Sequence, residues 1–125
     1  MISVNSSGWP TDEDLEELVE TQLINYFGTI FRVAVKLSPV YSGALRASWR
    51  VSFEAPREDV TDGYSPAAPI RGATFRWPRG FKLGMTVFVS NNQPYAEMIE
   101  YGGWSKQAPY GMLRLAIAYA EAEHG

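Results

Sequence analysis

The chain has 125 residues, of which 46% are hydrophobic, 20% charged and 14% aromatic, and its formal net charge is −3. That composition belongs to one folded domain with a modest core and excludes a fibrous or wholly disordered chain. Cysteine is absent and His124 is the only histidine, which excludes disulfides, thiolate metal sites, a cysteine nucleophile and a metal site built on several histidines.

Residues 1–10 read as a flexible arm, without the basic start and apolar stretch of a secretory signal. Residues 11–125 read as a single domain. Thr11 is a candidate N-cap, and Asp12, Glu13 and Asp14 suit the first turn of a helix, where the dipole favours negative charge. Leu15, Leu18, Val19, Leu23, Tyr26, Phe27, Ile30, Val33, Ala34 and Leu37 then recur at helical spacing for about seven turns. Gly28 inside that stripe predicts a bend or a close approach. Ser38-Pro39 ends the helix, because the residue before proline is pushed out of the helical region.

The next stretch, 40–48, predicts a turn and a short helix capped near Tyr41 or Ser42. Residues 49–54 alternate strictly, with Trp49, Val51 and Phe53 on one face and Arg50, Ser52 and Glu54 on the other, which is the pattern of a half-buried strand. A long loop is expected over 55–82, where Pro56, Pro66, Pro69 and Pro78 punctuate the chain, with an extended piece at 73–77. A second strand is expected over 83–90. Residues 95–101 predict a short helix stopped by Gly102 and Gly103, and 110–121 an amphipathic helix. This order predicts an α+β domain: a small antiparallel sheet packed against a long N-terminal helix and a C-terminal helix, with a long inter-strand loop. No stretch approaches the ~18 apolar residues of a membrane span, so no membrane partner is expected.

Charge is unevenly spread. Residues 1–31 carry −6, residues 32–114 carry +5 and residues 115–125 carry −2. Acids at a helix start are ordinary. Glu13, Glu17 and Glu20 nevertheless share one helical face and are candidates for the wall of a channel that repels DNA. The segment 71–82 holds four basic residues, three aromatics and no acid. Arg71, Arg76, Trp77, Arg79 and Lys82, with Trp104 further on, are candidate interface anchors. The same segment could bind nucleic acid by stacking and phosphate contact, which is a second reading of different class. Glycines form no phosphate-binding loop, carboxylate pairs such as Glu97 with Glu100 sit beside no hydrolytic signature, and Ser42 and Ser48 have no local base. No catalytic residue, cofactor or metal is expected.

Two blocks carry a resemblance. Residues 38–49, Ser-Pro-Val-Tyr-Ser-Gly-Ala-Leu-Arg-Ala-Ser-Trp, resemble the TPVDTGxLRxS block of phage tail-completion and minor tail proteins, departing at Ser38 and Tyr41. Residues 89–102, with Asn91-Asn92-Gln93-Pro94-Tyr95-Ala96 and Glu100-Tyr101-Gly102, and residues 105–114, with Ala108-Pro109 and Gly111-Met112-Leu113-Arg114, are similar to a second block of that family. The motif positions are Pro39, Gly43, Leu45, Arg46, Tyr95, Glu100, Gly102, Pro109 and Arg114. Leu45 is expected under the sheet and Arg46 outside it, with Glu100 and Arg114 paired between the last two helices. The resemblance implies a non-enzymatic virion protein, made in the host cytoplasm and placed in the neck or tail. It implies a homo-oligomeric ring, commonly sixfold, that contacts connector or stopper proteins and tail tube or terminator proteins. DNA would pass through its lumen without specific binding. A tail-terminator or connector-stopper ring is the nearest alternative.

Overall fold

The computed structural model describes residues 12–39, 44–61, 72–102 and 105–124. The expected arm at 1–10, the Thr11 cap, the turn at 41–43 with Gly43, and the anchors Arg71 and Trp104 lie outside the described residues.

Helix α1 spans Asp12–Leu37, α2 Ala44–Ala47, α3 Ala96–Gly102 and α4 Leu113–His124. Strands β1 (Trp49–Phe53) and β2 (Val87–Asn91) form a two-stranded antiparallel sheet, with Trp49 opposite Asn91, Val51 opposite Val89 and Phe53 opposite Val87. The architecture is α+β, with the long first helix packed on the last.

Helices α1 and α4 run antiparallel. At the end of α4, His124 Nε2 lies 2.8 Å from Thr29 Oγ1 in the middle of α1. The start of α4 lies beside Trp49, whose indole N–H donates to Ser38 Oγ at the far end of α1. Ala34, Ala116 and Ala120 are fully buried, and small residues there let the two helices approach closely. Ile30, Phe31, Leu45, Trp49, Val51, Ile99 and Met112 complete the core between helices and sheet. The turns of α1 that precede Tyr26 run on past the end of α4.

The starts of the second strand and the last helix differ from the sequence reading. The second strand starts at Val87, because Met85 N–H donates to Lys82 O across a turn in which Gly84 has φ 92°. α4 starts at Leu113, because Gly111 with φ 92° cannot sit inside a helix. Residues 73–77 are extended, as expected, and pair with neither strand. The outer face of β1 is covered: Ser52 is buried with its hydroxyl on Ala55 O, and Arg50 is held by Asp59 and Thr61. The chain makes that return at Glu54, whose φ of 66° lets Ala55 N–H donate to Phe53 O.

Candidate functional site

The two sequence blocks meet in space and form one frame. Ser38, buried at the end of α1, donates its hydroxyl to Ala34 O and accepts the Trp49 indole N–H, each at 2.7 Å. Arg46 stays out of the core and is fixed at the end of α1. Its Nε donates to Ser38 O and its Nη2 to Lys36 O, both at 2.9 Å, so it satisfies carbonyls that the end of α1 leaves open. Pro39 and Leu45 are buried beside it.

The second block binds back onto the first. Asn91 Nδ2 donates to Leu45 O at 2.8 Å, and Gln93 Nε2 donates to Ser48 Oγ at 2.9 Å. Ser48 Oγ also accepts from Thr61 N and donates to Ala44 O. Tyr95 is half-buried against the core, whereas Gly102 at the end of α3 and Pro109 in a turn are exposed.

Glu100 is the most heavily bonded acid of the frame. Its Oε1 accepts the N–H groups of Met112 (2.9 Å) and Leu113 (2.6 Å). Its Oε2 accepts from Arg114 N (3.2 Å) and Arg114 Nε (3.0 Å), and Arg114 Nη2 reaches Glu100 O. A carboxylate from α3 therefore caps the N-terminus of α4, where N–H groups lack partners and the helix dipole favours negative charge. Burial pushes this carboxyl up, but the Leu113 and Met112 amides and Arg114 outweigh it and hold Glu100 below the ordinary carboxylate range. Arg114 also stands over the Tyr101 ring.

Residues 72–82 form a strap beside α1. Gly72 lies so close to Val35 that an added Cβ would fall 2.1 Å from Val35 Cγ1. Phe75 packs near Gly28, where a Cβ would be 3.3 Å from its ring, so the close approach expected at Gly28 is present. Trp77 was expected as an interface anchor, but it packs against the core. It turns inward among Phe27, Phe53, Phe75 and Phe81, and its indole N–H donates to Glu20 Oε1 at 2.9 Å. Glu20, expected on a channel wall, is thereby spent on holding the strap. Alternation along the strap decides this: Phe75 and Trp77 face the core, so Arg76 faces out. Arg76, Arg79 and Lys82 are exposed, and Arg32 stands over the Phe75 ring. Glu13 and Glu17 are exposed on the projecting turns of α1.

Several polar anchors escaped the sequence reading. Arg50 and Arg57 both bind Asp59, and their hydrogen bonds hold its carboxyl below the ordinary range. A cleft of about 370 Å³ opens there, with Arg76 on its rim. Short-range signals existed only for Arg57 with Asp59, two residues apart. His124 with Thr29 is separated by 95 residues and had no signal in the sequence.

The described residues hold no group of three or more His, Cys, Asp or Glu that could bind a metal ion, and no described helix is long and apolar enough to cross a membrane. The chain matches no protein-family model, no curated protein and no solved structure.

Proposed function

We propose that this chain is a non-enzymatic structural subunit of a tailed-phage virion, a tail-completion or neck protein that works as a ring at the head–tail junction around the DNA channel. One observation carries the reading. The residues of both resembling blocks are bonded to one another as a frame, through Ser38, Arg46, Ser48, Gln93, Glu100 and Arg114. Glu100 lines a cleft with Glu97 and Tyr101, but its carboxylate is taken up by the Met112, Leu113 and Arg114 N–H groups. A motif spent on building a rigid subunit suits a protein that acts by shape.

The surface supports the same reading. Large apolar side chains stand exposed on α1 and α4, and the cations Arg76, Arg79 and Lys82 stand exposed on the strap. Such groups suit contact with neighbouring copies and with connector, stopper or tail tube proteins. Glu13 and Glu17 remain candidates for the channel wall, where they keep DNA from sticking.

Removing the gene from its virus tests the proposal. Heads and tails are then expected to accumulate unjoined, with the protein supplied in trans restoring joined particles. Normal infectious particles without it would overturn the reading.

A further inference from the structure

Helix α4 is apolar on two sides. Its inner side, with Ala116, Ile117 and Ala120, faces the core, as expected of an amphipathic helix. Its outer side carries Leu115, Ala118, Tyr119 and Ala122, at the i, i+3, i+4, i+7 spacing of a second apolar face. Leu115 is 41% exposed and Tyr119 is 55% exposed. A second apolar face left in water is a candidate contact surface.

The projecting turns of α1 carry a face of the same length. Leu15 (42% exposed), Leu18 (44%) and Val19 (37%) lie in line with Gln22. This stripe continues the seam that α4 of the same chain covers from Tyr26 onward. Where α4 stops, a notch of about 440 Å³ opens between Gln22, Leu23, Asn25, Tyr26 and His124. It offers an apolar wall together with hydrogen-bonding side chains, which suits a tyrosine ring with its hydroxyl.

We infer that the exposed α1 stripe of one copy docks on the outer α4 face of a second copy, head to tail, with Tyr119 of the second copy entering the notch at the end of the α1–α4 seam. Charge selects this pairing. The α1 stripe is flanked by Asp14 on one side and Glu16 on the other, so two such stripes repel each other. The N-terminal end of the α4 face has Arg114, half-exposed and paired with Glu100, and the loop leading to it has the exposed Lys106. The acidic turns of α1 therefore fit the N-terminal end of a neighbour's α4 and not its acidic C-terminal end, which holds Glu121 and Glu123. A contact between two different surfaces repeats from copy to copy, and closes into a ring when the rotation allows. The inference rests on the ring-forming reading and names the surfaces that would form the ring.

The chain has no cysteine, so single introduced cysteines report contacts cleanly. Leu18→Cys and Ala118→Cys variants are made separately, concentrated to their solubility limit, and treated with a short bis-maleimide alone and as a mixture. The mixture is expected to give a covalent dimer that neither variant gives alone. Tyr119→Glu in the second partner is expected to cut the yield at least about tenfold, as for an anchor in a pocket. A dimer of either variant alone, or none in the mixture, overturns the inference. Leu18→Glu is expected to leave the melting temperature of the dilute protein unchanged. A marked fall would mean that the chain's own residues, such as the first eleven, cover the stripe, and would also overturn it. Electron microscopy of the concentrated protein separates the two ideas. Closed rings without the mixed cross-link sink the contact and keep the ring, whereas the mixed cross-link in open chains alone keeps the contact and sinks the ring.

Discussion

Glu100 shows how one side chain can organise two elements. It sits on α3, yet most of its bonds go to the start of α4. Glu100→Ala leaves buried amides without an acceptor and Arg114 without its partner. We expect a loss of about 3 kcal/mol in urea unfolding, because breaking a buried charged pair strands the survivor. The pH dependence follows from the lowered carboxyl. A group whose folded pKa lies below its unfolded value contributes stability that is complete above the ordinary carboxylate range, about 4.3. That contribution is lost as pH falls through the folded value. Glu100→Gln is therefore expected to flatten the acid limb of the stability profile relative to the parent chain. An unchanged acid limb would show that other carboxylates govern it. Gly111 belongs to the same joint. An alanine there meets both a φ of 92° and a Cβ site 2.6 Å from Glu100 Oε2, so Gly111→Ala is expected to cost about 2 kcal/mol or more by the same measurement.

At the scale of elements, the strap is held by an aromatic cluster and by hydrogen bonds from Trp77 to Glu20 and from Ala73 N–H to Arg46 O. The two contributions separate by mutation. Glu20→Ala removes the acceptor alone and is expected to cost about 1 kcal/mol. Trp77→Ala removes the packing as well and is expected to cost about 3 kcal/mol in chemical denaturation. Equal losses would mean that the ring contributes little. This strap also marks where the sequence was hard to read. Helix α1, the alternation of β1 and the Glu100–Arg114 pair were legible, because periodicity, alternation and a short list of charge partners are local signals. Trp77 was not, because a basic and aromatic segment looks the same whether its aromatics face inward or out. Only the alternation of Phe75, Arg76 and Trp77 hinted at the answer. The covered outer face of β1 was hidden for a related reason. Arg50 and Ser52 look like solvent-facing residues until the return at Glu54 brings Asp59 and Thr61 over them.

At the scale of the whole molecule, charge argues against nucleic acid as a specific partner. Phosphate affinity grows with the number of cations that meet the backbone together. The described strap offers Arg76, Arg79 and Lys82, while the acidic turns of α1 adjoin it through Glu20 and the net charge is −3. On the strap, base stacking would need an outward aromatic ring, and Trp77 is packed inward. A neck ring through which DNA slides needs this weakness, because tight binding would stall passage. We therefore expect no retention of duplex or single-stranded DNA at physiological salt in a gel-shift titration. The triple variant Arg76→Ala/Arg79→Ala/Lys82→Ala should behave as the parent does. A salt-sensitive shift by the parent, abolished in the triple variant with its fold intact by circular dichroism, would replace the structural reading with a nucleic-acid-binding one. If the triple variant instead fails to join heads to tails in the virus while both proteins ignore DNA, the strap cations act on a protein neighbour, as the ring reading requires.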